Sequence, residues 1–363
     1  MAEVRQPIDI PALERYISQN VLDIQTPVDV KQFGFGQSNP TYQLTAANGK
    51  KFVMRKKPPG SLLSKTAHNV EREYKFIHAL EQTDLPVPKA LCLCKDSSII
   101  GTPFYIMEFL DGRIFADPAM PGINPGERNA LWREAIYTLA KLHQVLPDDV
   151  GLGMFSKPTG FYSRQIATFK EISMLQAQVR DIDTTDPVGE LLHLSEIVRF
   201  FENRGTQPKD RRTLVHGDYK IDNIVFHKTE PRVIGILDWE MATVGHPLSD
   251  FCNLTSPYFL TVTGQDVNNF RMGAVVGLPT RADCIRWYAE FSVYDVSPDI
   301  AWGDAFMTWR SSVVLQGIKA RYAQRQASSA KAHEYAKDMI PMALSAWQRV
   351  NELQEQLAKA SKL

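Results

Sequence analysis

Apolar and polar residues change rhythm along this chain, and the change divides it. Residues 30–35 form a first strand-like run, and 41–45 and 51–55 alternate with the period of two expected of half-buried strands. The last two are joined through Asn48-Gly49, a dipeptide suited to the left-handed positions of a tight hairpin turn. Residues 89–94 and 104–109 add two more such runs, and a short helix over 11–22 precedes them all. Between 56 and 66 the Pro58-Pro59-Gly60 sequence breaks any regular element and reads as loop.

A helix is predicted over 67–81. At about 100° per residue, Val70, Tyr74, Ile77 and Leu80 share one side with Glu73, whereas Glu71, Lys75 and His78 fall opposite. A carboxylate on an apolar face requires a counter-charge, because a buried unpaired charge is costly. Beyond Asp111-Gly112 helical patterns dominate, at about 126–145, 162–180, 187–203, 282–294, 299–327 and 330–358, with one β-rich stretch at 213–238. The expected fold is α+β and bilobal: a small antiparallel-sheet N-lobe (1–109) and a larger, mainly helical C-lobe (110–363), linked near 108–112.

Composition narrows the function classes. The 363 residues are 44% hydrophobic and 23% charged, and 41 basic residues balance 41 acidic ones, so no basic footprint for nucleic acid or anionic membrane is present. No apolar run has the roughly 18 residues of a membrane-spanning helix, and the first eleven lack the apolar core of a secretory signal. A soluble cytoplasmic protein is expected. Cys92, Cys94, Cys252 and Cys284 read as small buried hydrophobes in a reducing compartment, and the scattered histidines lack zinc-ligand spacing.

The chemistry concentrates in Leu214-Val215-His216-Gly217-Asp218-Tyr219-Lys220-Ile221-Asp222-Asn223-Ile224-Val225-Phe226 and Val233-Ile234-Gly235-Ile236-Leu237-Asp238-Trp239-Glu240. Apolar runs flank each polar cluster, which places the polar residues on turns leaving a buried strand pair. Phosphoryl transfer needs a carboxylate to deprotonate a hydroxyl, oxygen ligands for Mg²⁺ and positive charge on the phosphates. Asp218 suits the first need, and Asn223 and Asp238 suit a hard cation. Lys220 is close enough in sequence to the base to reach the transferring phosphate. His216 reads as a loop-holding hydrogen-bonding residue.

His-Gly-Asp-x-x-x-x-Asn followed by Leu-Asp-Trp resembles the catalytic and metal loops of the aminoglycoside phosphotransferase/choline kinase family. That resemblance implies a protein-kinase-like fold, ATP and Mg²⁺ as cofactors, Asp218 as catalytic base, and Asn223 and Asp238 as metal ligands. Phe33-Gly34-Phe35-Gly36-Gln37-Ser38-Asn39 resembles the nucleotide-binding glycine loop, with Gly34, Gly36 and Ser38 at the phosphates and Asn39 in place of a third glycine. Read alone, the same residues serve as an ordinary hairpin turn. On the following strand Val53 and Arg55 share a face, Val53 suited to adenine and Arg55 to phosphate, with arginine where lysine is usual. Lys56, on the opposite face, is the alternative if the register slips. Glu73 matches the helix glutamate that pairs with this cation in kinases. Glu108 and Leu110 match the hinge whose backbone meets adenine.

The finer resemblance runs from about 29 to 325 and includes Gly36-Gln37-Ser38-Asn39-Pro40-Thr41-Tyr42, Arg55-Lys56-Lys57-Pro58-Pro59-Gly60 and the run from Asp238 through His246 to Asp250. It is similar to the phosphotransferase domain fused to some acyl-CoA dehydrogenases, in which Asp250 braces the active-site loops. The implied partner is a small-molecule hydroxyl acceptor, with hydroxylated acyl-CoAs suggested by the fused relatives. Lys56, Lys57 and Lys65 form either a CoA-phosphate contact or a solvated loop. The acceptor pocket is expected in the helical lobe near Tyr162, Arg164, Gln165 and Trp302 or Trp309, although aromatics at helical spacing more often form core. A non-catalytic nucleotide-binding regulator is the alternative. A flavin dehydrogenase lacks its flavin-binding domain here, and a protein kinase lacks its Ala-Pro-Glu segment.

Overall fold

Asp9 starts the first helix, α1 (Ile10–Asn20), by accepting a 2.9 Å hydrogen bond from the Ala12 amide, with Pro11 in the first turn where its missing N–H is harmless. The computed structural model describes residues 8–33, 39–58, 69–155, 157, 159–260, 267–327 and 331–360, which fall into two compact units. The turn containing Gly34, Gly36 and Ser38 lies outside the described residues, as does Lys65. The first unit takes 1–115, 148–152 and 222–242, and the second takes 116–147, 153–221 and 243–363.

In the first unit β1 (Asp29–Gln32), β2 (Thr41–Thr45), β3 (Lys51–Lys56), β4 (Ala90–Cys94) and β5 (Phe104–Glu108) form one antiparallel sheet in the order β1-β2-β3-β5-β4. Gly49 makes the β2–β3 turn at φ +81°, a conformation that costs glycine nothing, and its amide bonds Ala46 O. The period of two sorts the strand side chains. Tyr42, Leu44, Phe52, Met54, Cys92, Cys94, Phe104 and Ile106 join Leu13 and Ile17 of α1 in one core. Val53 and Arg55 therefore face the other way, toward the side covered by α2 (Val70–Leu80). Lys56, expected in the loop, ends β3 instead: it pairs with Phe104, and its ammonium lies 5.9 Å from the Tyr42 ring centroid.

A two-stranded hairpin, β7 (Ile224–Phe226) and β8 (Val233–Ile236), completes this unit. Residues 110–115 belong with it, beyond the expected boundary at 109, because Arg113 and Phe226 exchange two backbone hydrogen bonds of 2.7 and 2.8 Å. Glycine is required on both sides of that contact. A Cβ on Gly112 would come within 2.3 Å of Phe226 O, and one on Gly235 within 2.0 Å of Leu110 Cδ1.

The second unit is built on α3 (Pro125–Gln144), α4 (Phe161–Ala177), α5 (Leu194–Glu202), α6 (Leu248–Leu254), α7 (Arg281–Phe291), α8 (Ile300–Ala323), α9 (Ala332–Lys337) and α10 (Met339–Ala360). A short ladder of β6 (Thr213–Val215) and β9 (Thr243–Gly245) crosses it. Tyr162, Phe201, Trp302, Phe306 and Trp309 form an interlocked aromatic core, so Tyr162, Trp302 and Trp309 are buried side chains. The helix expected over 187–203 starts only at Leu194, because Pro187 bridges to Arg180 and Gly189 turns at φ +88°. The one expected over 330–358 is two helices. Pro341 falls in the first turn of α10, where it cannot donate the i→i−4 bond that would continue α9. Among the described residues no helix is long and apolar enough to cross a membrane.

Candidate active site

The first unit brings Arg55, Glu73 and Asp238 together. Arg55 Nη1 donates to Glu73 Oε1 at 2.5 Å and to Asp238 Oδ1 at 3.0 Å. Glu73 is fully buried on the apolar face of α2, as the helical wheel required of a glutamate with a partner, and the partner is Arg55 rather than Lys56. Burial raises the Glu73 carboxyl above the ordinary value, and Arg55 offsets only part of that rise. Burial also works against the guanidinium charge, but Glu73, Tyr105 and Asp238 outweigh it and hold Arg55 as a cation.

Asp238 sits in the left-handed region, at φ +67°, which a short polar side chain tolerates at some cost. Two features hold it there. Trp239 is buried with its indole N–H on Ile236 O at 2.8 Å. Arg72 of α2 grips Ala242 O through Nε and Nη2 at 3.0 and 2.5 Å. The Leu237 amide bonds Asn223 O at 2.8 Å, which aligns the start of β7 with the end of β8 and sets Asn223 beside the Asp238 turn. Asn223 and Asp238 offer one amide and one carboxylate, hard oxygen donors of the kind Mg²⁺ takes while keeping its remaining positions for water or phosphate. Among the described residues no three His, Cys, Asp or Glu side chains group to form an all-protein cage. The donor set fits a lightly held magnesium ion.

Val53 lies on β3 two residues from Arg55, 8% exposed and paired with Met107. Glu108 closes β5 with its amide on Lys89 O, and Leu110 covers Gly235.

The second unit carries Asp218 and Lys220. Strand β6 leads into His216, Gly217 at φ +86° and Asp218. Asp250 of α6, completely buried, accepts from the amides of His216 (2.6 Å) and Gly217 (2.8 Å). Burial would raise its carboxyl, but His143 and the His216 bond lower it below the ordinary value, so it stays an anion. His143 lies between two partners, 3.4 Å from Asp250 and 2.6 Å from the Tyr288 hydroxyl. His216 Nδ1 accepts from the Asp218 amide at 3.3 Å, and Tyr219 is anchored on Ala135 O.

Asn253 orients Asp218 by donating Nδ2 to its Oδ1 at 3.3 Å and to Tyr219 O at 3.1 Å. Lys220 Nζ stands 3.5 Å from Asp218 Oδ2, a cation beside the carboxylate. Asp218 is one-third exposed on one side and fixed on the other. Sequence reasoning missed Asn253, His143, Tyr288 and Arg310, whose guanidinium donates to Gly217 O at 2.9 Å. For Asn253 a signal existed: it follows Asp250 by three, which on a helix puts both on one face.

The sequence and the fold have counterparts among known proteins. Acyl-CoA dehydrogenase family member 11 of Gallus gallus is 37% identical over 354 residues, covering 94% of this chain and 44% of the relative. Family member 10 of Mus musculus is 36% identical over 351 residues, covering 95% of this chain and 31% of the relative. The chain thus spans less than half the length of these curated relatives. A candidate aminoglycoside phosphotransferase from Ralstonia eutropha JMP134 has a crystal structure that superposes with a TM-score of 0.78 at 34% identity, over 95% of this chain and 99% of that one. A phosphotransferase in complex with streptomycin and ATP gives 0.57 at 16% identity, over 94% and 100%, a likeness of fold. These neighbours share the kinase-like, bilobal α+β fold. The model of the phosphotransferase enzyme family matches residues 29–277, and the chain belongs to that family.

Proposed function

We propose that the chain is an ATP-dependent, magnesium-requiring kinase that phosphorylates a hydroxyl of a small molecule, with Asp218 as catalytic base. The observation that supports this most directly is the fixing of Asp218 by Asn253 on a loop whose amides are clamped by the buried Asp250. A positioned carboxylate of this kind takes the proton of the acceptor hydroxyl as its oxygen bonds to the terminal phosphorus of ATP. The bond from that phosphorus to the bridging oxygen breaks, and ADP leaves with the electron pair. In this reading Lys220 and Arg55 hold phosphate oxygens, and Glu73 keeps Arg55 in position. Gly34, Gly36 and Ser38 cradle the phosphates, Val53 covers the adenine, and the backbone of Glu108 and Leu110 meets its edge. Asn223 and Asp238 hold Mg²⁺, which neutralises phosphate charge when bound.

For the acceptor we infer a hydroxylated acyl-CoA, a reading supported by kinship with the acyl-CoA dehydrogenase family members. The test is an ADP-release screen of Mg·ATP against hydroxyacyl-CoAs, sugars, amino alcohols and aminoglycosides, run beside Asp218→Asn. The variant should bind nucleotide normally and lose roughly 10²-fold or more in kcat, the scale of a positioned general base. An unchanged kcat would remove Asp218 from the mechanism. Nucleotide binding without turnover of any acceptor class would favour a non-catalytic regulator.

A further inference from the structure

Arg310 is a cation with more donors than partners. It lies on α8 directly after the fully buried Trp309, half-buried itself. Of its five N–H donors one reaches Gly217 O at 2.9 Å; its other polar approach among the described residues is Nη1 to Met307 Sδ at 4.0 Å. The Phe169 ring centroid stands 5.9 Å from the guanidinium carbon. Burial lowers its proton affinity, and the nearby Asp218 and Asp250 carboxylates only partly offset this. None of its nitrogens is both buried and unpartnered, so the unused donors face accessible space that a solute can enter. The residue it touches precedes Asp218, so whatever pairs with those donors sits within a few bonds of the hydroxyl presented to the base.

We propose that Arg310 selects the acceptor, pairing its guanidinium with an oxyanion, carboxylate or phosphate ester, carried near the reacting hydroxyl. This rests on the phosphotransferase reading of Asp218 and narrows its acceptor: among hydroxylated acyl-CoAs it would select those with a carboxylate near the hydroxyl, since the thioester itself is neutral. The fork of a guanidinium matches the two oxygens of such a group. Lys220, 3.5 Å from Asp218, adds a second positive charge to the same locality. The Asp218 and Asp250 carboxylates offset these two cations in net charge, so selection rests on the direct pairing of the Arg310 fork with an acceptor oxyanion. The pocket therefore favours hydroxy acids or hydroxylated phosphate esters over amino alcohols and polycationic sugars.

Four acceptors of similar size separate the possibilities: β-hydroxybutyrate, glycerol phosphate, the neutral butane-1,3-diol and the amino alcohol matching β-hydroxybutyrate. Each is assayed for Mg·ATP turnover, and each is titrated calorimetrically against the full chain, with wild type, Arg310→Gln and Arg310→Lys. Arg310→Gln should raise KM and the dissociation constant about 10–100-fold for whichever oxyanion is preferred, the scale of a charge-assisted pair. The diol and amino alcohol should be unaffected or improved, and Arg310→Lys should recover part of the loss. The better of the two oxyanion compounds tells carboxylate from phosphate. A uniform fall in kcat on every acceptor with unchanged KM would overturn the proposal and leave Arg310 as a brace on Gly217. Preference for the diol or amino alcohol would overturn it also. Arg310-dependent oxyanion binding without turnover would sustain this inference while the kinase reading falls. Turnover of neutral acceptors alone would do the reverse.

Discussion

His246 is 1% exposed, and its two ring nitrogens have different neighbours: Nε2 meets Lys209 O at 3.1 Å, and Nδ1 receives the Leu248 amide at 3.2 Å. A carbonyl on one side and an N–H on the other fix the neutral tautomer with its proton on Nε2. Burial pushes the pKa down to about 3, with the Lys209 carbonyl working against that shift and Arg211 adding to it. The unfolded chain, with an ordinary histidine near 6.5, takes up the proton first as pH falls. The stabilisation is therefore complete above the unfolded value and is lost on acidification from about 6.5 toward 3. Between pH 7 and pH 5 the loss from this residue is about 2 kcal/mol, and any folded value below about 4 gives nearly the same figure. Urea unfolding followed by tryptophan fluorescence reads the correct unit, since Trp132, Trp287, Trp302, Trp309 and Trp347 share it with His246. His246→Gln should be less stable at pH 7, with the gap to wild type narrowing by about 2 kcal/mol at pH 5. Stability–pH curves that run parallel would refute the assignment of a buried neutral imidazole.

Glu73→Gln leaves the buried Arg55 with Asp238 as its remaining carboxylate and should cost about 3 kcal/mol; a urea midpoint within error of wild type would mean that Arg55 does not depend on this pair. Asp238→Ala should abolish magnesium-dependent nucleotide binding, measured as the difference in ATP affinity with and without Mg²⁺, and a retained difference would exclude it as ligand. Gly277 and Gly273 both have positive φ, but a Cβ on Gly277 would lie 2.2 Å from Pro125 O whereas one on Gly273 meets nothing within 4 Å. Gly273→Ala should cost about 1 kcal/mol and Gly277→Ala clearly more, because only the second adds a backbone collision; equal urea midpoints would contradict the difference.

Local periodicity made much of the first unit legible. The alternation of β3 turned Val53 and Arg55 to one face, and the α2 wheel selected Glu73 over Glu71, so a pair eighteen residues apart was readable before any coordinates. Spacing within the motif likewise marked Asp218, Asn223 and Asp238 as candidates, and the structure puts Asp238 against Arg55 and Asp218 against Asn253. What escaped were contacts set by packing across long stretches of chain. Asn253 shares a seven-residue helix with Asp250, and although their spacing hints at a common face, its bond to Asp218 thirty-five residues away follows from packing alone. That helix approaches α8 only because Gly303 has no side chain, since a Cβ there would come 2.7 Å from Cys252 Sγ. Arg310 looks from sequence like one more charge on a long helix. The grouping of 110–115 with the β7–β8 hairpin depends on two glycines and a backbone bridge that no local pattern announces.

The first unit is stitched from three separate stretches of chain, the last ending at residue 242. On a ribosome its sheet is complete by residue 115, yet Gly112 and Leu110 then lack the hairpin that covers them, and Arg55 lacks Asp238. The missing 127 residues (242 − 115) take about 6–25 s to synthesise at ordinary elongation rates. For that interval the nascent sheet exposes the apolar seam that the hairpin later covers. A chaperone that engages the emerging chain therefore has a defined window, opening after β5 and closing once residue 242 clears the exit tunnel.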